Sequence, residues 1–354
     1  MHDDTTKRDG RLASIEGDFL VDEKLLDLFP PDATILAAEH YGQSAWTQTG
    51  CVTVELEDGS VKKYFLKLAL GDQGRELLLG EFTSITLLHN LMPGLVPEPL
   101  GWGKYSTAVP DTYFFIEDFK DMDMGLPNPV QLARQTADLH ENLSPDGKFG
   151  FEVTTFAGKV PHPKGWESNW TLFFARLLEL CLEADEKTNG HWHELRLASN
   201  QILSVVVPRL LDPLQQGSDP IRPVLIHGDL WSGNIGTDEE TGNLVFFDCG
   251  CLYAHSELEL GMWRSSCDGA RNLGVRYLRE YQKIVGPSKP EAEFDDRNRL
   301  YCAKYNLTHS ALNPGDIARQ YALNDMAFLC EKYAPLEGIP RYDPKQDYAW
   351  KSRT

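Results

Sequence analysis

The stretch VLIHGDLWSGNIG at positions 224–236, followed by LVFFDCG at 244–250, holds the most specific pattern in this chain. Asp229 precedes Asn234 by five positions, and Asp248 comes 14 positions after Asn234, at the end of an apolar run. The β-prone runs 224–227 and 244–248 lie on either side of a polar turn, which predicts two strands of one hairpin. All three polar side chains therefore belong to this one predicted element.

This order of residues has the spacing that phosphoryl transfer uses, H-x-D-x-x-x-x-N followed by D-x-G. One carboxylate orients or deprotonates the attacking hydroxyl, while an amide oxygen and a second carboxylate hold Mg²⁺ against the nucleotide phosphates. Upstream, Lys67 on a predicted strand and Glu81 on the next predicted helix match the ion pair that positions the phosphates. Each residue alone is typical of a cap or a surface charge, but the complete ordered set indicates a kinase-type site.

The rest of the chain predicts an α+β fold in which a small strand-rich N-terminal part with one helix precedes a larger, mainly helical part. The N-terminal part contains a predicted hairpin over 51–70, a helix over 73–92 and a strand over 112–119, and a mixed loop then forms a candidate hinge. The next helix begins with Asn128 as N-cap and Pro129 at its first position. Further helices are predicted over 169–184, 193–207, 262–284, 297–310 and 316–333. The predicted domains are a flexible tail at 1–12, a nucleotide-binding lobe at 13–120 and a catalytic and substrate-binding lobe at 121–354.

The composition restricts the partners of the protein. The 354 residues include 34 Lys and Arg against 53 Asp and Glu, a net charge of −19, which argues against nucleic acid or an anionic membrane surface as the main ligand. The seven cysteines form no zinc or disulfide pattern and are expected to be reduced thiols. The N-terminus lacks the plan of a signal peptide, and no apolar run is long enough to span a bilayer, so we expect a cytoplasmic protein.

Three stretches of this sequence resemble the fructosamine or ketosamine kinases, a branch of the aminoglycoside-phosphotransferase-like group with a two-lobed, protein-kinase-like fold. The first stretch is HGDLWSGN at 227–234. The second contains Phe149-Gly150-Phe151, Gly165-Trp166, Trp170 and Phe173-Phe174, and the third is HSELEL at 255–260. The resemblance extends over roughly residues 40–330, and its motifs are densest in the C-terminal part.

The resemblance implies ATP and Mg²⁺ as cofactors and a role for each matching residue. It makes Asp229 the catalytic base, Asn234 and Asp248 the Mg²⁺ ligands, Lys67 the phosphate-binding lysine, Glu81 its partner and His227 a brace of the loop. Glu117, Asp118 and Phe119 would hold adenine through backbone hydrogen bonds, and Gly42 would lie in the loop that covers the nucleotide. The implied acceptor is a ketoamine, free or on a glycated protein. Phosphorylation of its sugar hydroxyl is followed by breakdown of the product, which restores the amine, and a monomer is favoured.

Three acidic or aromatic positions near the motif have two interpretations each. Trp231 could cover the apolar face of a sugar, or it could be an ordinary core tryptophan. Glu257 and Glu259 could attract a cationic amine substrate, or they could be charges favoured at a helix N-terminus.

Three departures from the family pattern also matter. The loop at 41–46 has Gly42 as its single glycine, which reduces the number of backbone N–H groups that can approach phosphate, so the sequence does not fix the affinity for ATP. Ala45 stands where some relatives carry a redox-active cysteine, so we expect no redox switch there. Cys249-Gly250-Cys251 replaces the usual proline and alanine, and these thiols are expected to fill a tight turn in preference to binding zinc.

Two other functions compete with a ketoamine kinase. The same fold and chemistry could serve an aminoglycoside, choline or another amino alcohol. A non-catalytic pseudokinase is favoured by the glycine-poor loop, but the complete set of five polar residues opposes it, because a scaffold has no need of them.

Overall fold

The protein is described by a computed structural model, which covers residues 15–42, 44, 46–216, 218–265 and 272–347. The predicted tail at 1–12 and the loop residues Gln43 and Ala45 lie outside the described residues. The chain divides into two compact units. The first ends at Met122 and also includes Asp238–Phe247, and the second contains Asp123–Thr237 and the chain from Asp248 onward.

The regular elements are short strands and longer helices. In chain order, the strands are β1 Thr34–His40, β2 Gln48–Glu55, β3 Val61–Leu70, β4 Pro99–Lys104, β5 Thr112–Asp118, β6 Met122–Asp123, β7 Phe149–Phe151, β8 Phe156–Ala157, β9 Val160–Pro161, β10 Gly165–Glu167, β11 Val224–Ile226, β12 Ile235–Asp238, β13 Leu244–Phe246 and β14 Leu252–Ala254. The α-helices are α1 Gly71–Leu91, α2 Pro129–Leu139, α3 Trp170–Asn189, α4 His193–Gln201, α5 Val207–Leu211, α6 Glu257–Arg264, α7 Gly274–Ile284, α8 Phe294–Leu312 and α9 Ala318–Tyr333.

The first unit contains a five-stranded antiparallel sheet in the order β1-β2-β3-β5-β4. The predicted hairpin over 51–70 is confirmed, since β2 pairs with β3 and Glu55 lies opposite Val61. Its turn is closed by the Asp58 carboxylate, which accepts a hydrogen bond from the Ser60 N–H at 2.9 Å. Gly59 takes φ +78°, a conformation that a side chain would disfavour. The local sequence thus fixes the register of the central strand β3.

Helix α1 is the single helix predicted for the N-terminal part, and its apolar stripe is buried as expected. Leu78, Ile85 and Leu88 are fully buried, and the helix packs against β3 and β5. It ends just before Pro93 and Gly94, and Gly94 has φ +87°. This packing fixes one face of α1 against the sheet.

In the second unit the strand that precedes the main motif has a different partner from the predicted one. β11 pairs antiparallel with β14, with Val224 opposite Ala254 and Ile226 opposite Leu252, in a sheet of order β10-β7-β14-β11. β13 belongs to another sheet, so the prediction of one hairpin formed by 224–227 and 244–248 is wrong. The physical reason is the turn at Asp248–Cys251, which separates β13 from a second buried strand that the sequence reading did not distinguish.

The helices of the second unit follow their predicted start signals better than their predicted lengths. The Asn128 side chain accepts hydrogen bonds from the N–H groups of Val130 and Gln131, as expected of an N-cap. The single helix predicted over 262–284 is wrong, because α6 ends at Arg264 and α7 begins at Gly274. Sequence periodicity gave no sign of this break.

The core of the second unit is built around α8, which is buried along most of its length. Trp170 on α3 is fully buried and donates its indole N–H to the Tyr301 hydroxyl at 2.9 Å. On another side α6 approaches α8 so closely that a Cβ on Gly261 would lie 2.6 Å from the Cβ of Tyr301. A glycine at this position is what permits the contact between the two helices.

We expect Gly261→Ala to lower the free energy of unfolding by about 1–3 kcal/mol, the usual cost of overpacking a core. The added methyl group would meet the Tyr301 backbone, which cannot move aside as a side chain could. Chemical denaturation of the purified protein measures this change. Gly125→Ala is the matched control, because its nearest neighbour is the flexible Asp123 side chain at 3.3 Å. Equal stability of the two variants would contradict the assignment.

Candidate active site

The predicted pair of Lys67 and Glu81 is present in the first unit. Lys67 is placed by the central strand β3, Glu81 is placed by α1, and their side chains form an ion pair. Both side chains are largely buried, with exposed fractions of 6% and 12%. A buried cation of this kind needs its charge partner, so the pair holds the lysine ammonium in one place.

The end of β5 contains the three residues expected to hold adenine. The Asp118 N–H donates to the Glu98 carbonyl at 2.9 Å, and the Phe119 N–H donates to the Lys63 carbonyl at 3.2 Å. Glu117 is buried, at 3% exposure. The expectation that this segment holds adenine through backbone hydrogen bonds needs correction for two donors. The N–H groups of Asp118 and Phe119 already bond to protein carbonyls.

The loop between β1 and β2 is held by hydrogen bonds within the loop and to β2. Tyr41 and Thr49 exchange two hydrogen bonds, one from the Tyr41 N–H to the Thr49 carbonyl at 3.0 Å and one from the Thr49 hydroxyl to the Tyr41 carbonyl at 2.5 Å. The Ser44 hydroxyl oxygen accepts from the N–H groups of Trp46 and Thr47 at 3.2 and 3.1 Å. Gly42 has φ +72°, which suits the turn. The N–H groups of Trp46 and Thr47 are thus occupied within the loop.

In the second unit, Asp229 and Asn234 lie side by side in the loop after β11. The Asn234 side-chain NH₂ donates to the Asp229 carbonyl at 2.9 Å and lies 3.4 Å from its carboxylate oxygen Oδ2. A short 3₁₀ turn over Ser232–Asn234 brings the two residues together. The five-residue spacing read from the sequence therefore corresponds to a direct contact.

The loop that carries Asp248 contacts the Asp229 loop through two glycines. Gly228 has φ +85°, and a Cβ on it would lie 2.2 Å from the Gly250 carbonyl oxygen. The Gly250 N–H donates to the His227 carbonyl at 3.1 Å. Among the described residues, Asp248 is the one non-glycine residue with a positive φ, at 56°. The two loops are therefore joined backbone to backbone, and Asp248 holds a conformation that costs energy.

The electrostatic environment of Asp229 raises its pKa. Burial raises the pKa of the carboxyl group to about 6, and the negative charges of Asp248 and Glu259 act in the same direction. The positive charges of His227 and Lys304 oppose the shift. At neutral pH the group is still mainly a carboxylate, as a general base must be.

Glu259 on α6 holds the backbone of the Asp229 loop, a function that the sequence reading missed. Its carboxylate accepts hydrogen bonds from the N–H groups of His227 at 2.5 Å and Gly228 at 3.1 Å. Trp263, one turn further along α6, donates its indole N–H to the Leu230 carbonyl at 3.1 Å. The His227 ring completes the bracing, since its Nδ1 lies 3.3 Å from the backbone nitrogen of Asp229.

These contacts correct the expectation that Glu257 and Glu259 attract a cationic amine. Glu259 is fully buried and is occupied by the loop. Glu257, at 2% exposure, forms a two-point ion pair with Arg297 at 2.7 and 2.9 Å and accepts the Ser288 N–H at 2.7 Å. Both residues are within the first turn of α6, where the helix dipole also favours them. The structure thus supports the second interpretation, a structural role.

Trp231 is partly exposed, which argues against a core tryptophan. Its indole ring packs on Gly233, where an added Cβ would lie 2.2 Å from the ring. The backbone on both sides is fixed, since the Trp231 N–H donates to the Asp229 carbonyl at 3.1 Å and the Trp231 carbonyl accepts from the Asn234 N–H at 3.0 Å. The indole is therefore held two residues from Asp229 with part of its surface in solvent.

The thiols of Cys249 and Cys251 are buried beside this loop. Burial raises the pKa of Cys249 well above its usual value, so this thiol stays protonated at neutral pH. A neutral thiol acts as a small apolar side chain. Its packing role agrees with the expectation that this segment fills a tight turn.

The donor set of the second unit suits a hard divalent cation. The interaction of Asp248 with Asp229 raises the pKa of the latter, and a cation bound by Asp248 would relieve that repulsion. The Asn234 amide uses its nitrogen in the loop, so its oxygen is the atom suited to bind a metal. Oxygen donors of this type are those that Mg²⁺ prefers.

The family profile for fructosamine kinase matches residues 36–326. The chain belongs to the fructosamine kinase family. This assignment confirms the family predicted from the motifs and the predicted class of enzyme, a kinase. A protein-ribulosamine 3-kinase from Arabidopsis thaliana is 29% identical over 242 residues, 67% of each chain. A mouse ketosamine-3-kinase is 28% identical over 285 residues, which cover 73% of this chain and 86% of the relative.

Solved structures also confirm the predicted fold class of this fructosamine kinase family member. The aminoglycoside phosphotransferase APH(4)-Ia, in a ternary complex with AMP-PNP and hygromycin B, aligns with a TM-score of 0.57 and 13% identity. The alignment covers 88% of this chain and 98% of that structure. Among the described residues, no helix combines the length and apolar composition needed to cross a membrane.

We expect Glu259→Gln to reduce the rate of ATP turnover about tenfold with little change in the KM for ATP. The amide keeps one acceptor oxygen but turns an NH₂ group toward a second buried N–H, which costs about one hydrogen bond to a charged group. Steady-state kinetics measures both constants. Glu183→Gln, at an exposed position on α3, is the control. A variant with wild-type turnover would show that the loop is held without this carboxylate.

Proposed function

We propose that this protein uses ATP and Mg²⁺ to phosphorylate a sugar hydroxyl of ketoamines, which leads to deglycation of the attached amine. The observation that carries the proposal is the contact of Asp229 with Asn234, in a chain that belongs to the fructosamine kinase family. The relatives named protein-ribulosamine 3-kinase and ketosamine-3-kinase support this class of acceptor. Free ketoamines and glycated proteins are the two forms of substrate, and the proposal includes action as a cytoplasmic monomer.

The geometry of the second unit supports a role for each of its polar residues. Asp229 accepts the proton of the attacking hydroxyl, and its raised pKa of about 6 makes it a better base than an ordinary aspartate at neutral pH. Asn234 and Asp248 hold Mg²⁺, which neutralises charge on the phosphates when bound. His227 and Glu259 keep the loop in position but take no part in the proton transfer.

The first unit supplies the nucleotide-binding residues in this proposal. Lys67, held by Glu81, binds phosphate oxygens. Gly42 lies in the loop that covers the nucleotide, and the 117–119 segment contacts adenine through its carbonyl oxygens, since two of its N–H groups are occupied. The bonds of Ser44 to Trp46 and Thr47 occupy two N–H groups of this loop, which are then not available to phosphate.

The direct experiment measures ADP release with fructosyl-lysine, ribulosyl-lysine, an aminoglycoside, choline or no acceptor. Turnover with the ketoamines alone supports the proposal. Turnover with the aminoglycoside or choline alone would show that the protein is a kinase of another amino alcohol and not of ketoamines. If no acceptor causes ADP release and the protein still binds ATP, the protein is a pseudokinase.

Asp229→Asn is expected to lower kcat with a ketoamine by about 10²–10⁴-fold, the usual contribution of a general base. The amide preserves the shape of the side chain and its contact with Asn234 but cannot accept the proton. Coupled-assay kinetics gives kcat, and thermal denaturation checks that the variant folds. Asp146→Asn, at an exposed position, is the control. Wild-type kcat in the Asp229 variant would overturn the assignment of the base.

Trp231→Ala is expected to raise the KM for the ketoamine about 5- to 30-fold while the KM for ATP changes less than twofold. The reason is the loss of a flat apolar surface beside Asp229, a contact worth on the order of 1–2 kcal/mol. Initial rates with each substrate varied in turn separate the two constants. Trp231→Phe, which keeps a ring, should retain most of the affinity. An unchanged ketoamine KM would reduce the indole to a packing role on Gly233.

A further inference from the structure

A cavity of about 370 Å³ lies in the second unit, and its lining contains neither Asp229 nor any other residue assigned to catalysis. It is lined by the end of α2, the segment before β11, the start of α6 and the end of α7. Its volume is within the range of about 300–1,000 Å³ that is usual for small-molecule sites. The function proposed above does not use it.

The lining of the cavity changes from polar groups within to charges and apolar side chains at the rim. The inner groups include the imidazole of His140 and the hydroxyls of Tyr281 and Ser256. The rim carries the exposed apolar side chains of Ile284 and Val285, at 50% and 48% exposure. A lining of this kind suits a small molecule with an apolar stem and polar ends.

Three charged side chains at the rim define the ends of such a molecule. Asp138 and Glu141 lie at the end of α2, and Arg222 precedes β11. All three are exposed, and none forms an ion pair with another residue in the part of the chain that the structure covers. Two carboxylates and one guanidinium are complementary to an ammonium and a carboxylate on one ligand.

A short chain of contacts joins this cavity to the loop that carries Asp229. The Tyr281 hydroxyl lies 2.6 Å from Nδ1 of His140. The other ring nitrogen, Nε2, is buried without a hydrogen-bond partner and lies 4.0 Å from the Glu259 carboxylate. That carboxylate holds the N–H groups of His227 and Gly228. A ligand that moves Tyr281 would therefore shift His140 toward or away from the group that fixes the loop.

We propose that the cavity is a binding site for a small zwitterion with an apolar stem, the chemistry of a free α-amino acid, and that its occupancy acts on the Asp229 loop through Tyr281, His140 and Glu259. The ligand ammonium is held by Asp138 and Glu141, its carboxylate by Arg222, and its stem by Ile284 and Val285. Because Glu259 bonds to the loop that carries the proposed base and not to Lys67 or Glu81, the effect of the ligand is on the rate of turnover and not on the affinity for ATP.

An amino acid is also what remains when the ketoamine of a free amino acid breaks down. The site would then sense the product of the enzyme, a consequence that rests on the proposed function. Binding and its effect on the loop need neither nucleotide nor ketoamine. Failure of this inference can thus be told apart from failure of the proposed function.

The binding test uses the full-length protein and three compounds with the same five-carbon stem, L-norvaline, pentylamine and pentanoate. Isothermal titration calorimetry should detect norvaline binding, with at least fivefold weaker binding of the two compounds that lack one charge. Asp138→Asn with Glu141→Gln, and separately Arg222→Gln, should each weaken norvaline binding about 2- to 10-fold. Absence of norvaline binding, equal binding of all three compounds, or no effect of the rim substitutions would overturn the assignment of the site.

The coupling test measures hydrogen exchange of the peptide that covers 224–230, with and without norvaline. Norvaline should change the exchange rate of this peptide at least threefold in the wild-type protein. Tyr281→Phe keeps the ring but removes the hydroxyl, so it should bind norvaline within about twofold of wild type and lose the change in exchange. Unchanged exchange in wild type, or an equal change in the Tyr281 variant, would overturn the coupling.

Discussion

The hydrogen bonds from the backbone of His227 and Gly228 to the Glu259 carboxylate are the interaction on which the second unit depends. Two N–H groups buried at the end of a strand would cost about 1–3 kcal/mol each without an acceptor. A single buried carboxylate satisfies both, and thereby fixes the residue before Asp229 to α6. Helix α6 thus helps to set the position of the proposed base.

The support of Glu259 extends through α6 into the core. Glu257, two residues earlier, is tied to Arg297 of α8, and Gly261, two residues later, allows α6 to approach Tyr301. Trp263 adds the bond to Leu230. The packing of α6 on α8 therefore also positions the Asp229 loop. A substitution that alters this packing in the core will also alter the candidate active site.

The sequence was sufficient for features that depend on neighbouring residues. The turn at Asp58-Gly59-Ser60, the N-cap Asn128 and the contact of Asp229 with Asn234 each follow from short spacings, and each is present. The pairing of β11 with β14 could not be predicted, because it is decided by burial of a three-residue strand that resembles a loop in sequence. Glu259 was missed for a similar reason, since an acidic residue in a first helical turn looks the same whether it faces solvent or a buried backbone.

Asp248 takes a left-handed backbone conformation at φ 56°, where an L-residue loses roughly 1–2 kcal/mol relative to glycine. Glycine at this position would relax the turn and also delete a carboxylate. Selection for heat resistance alone would therefore favour the loss of this side chain, whereas selection for the proposed Mg²⁺ ligand would retain it. At Asp248, a substitution that raises stability would therefore remove the carboxylate that the proposed function needs.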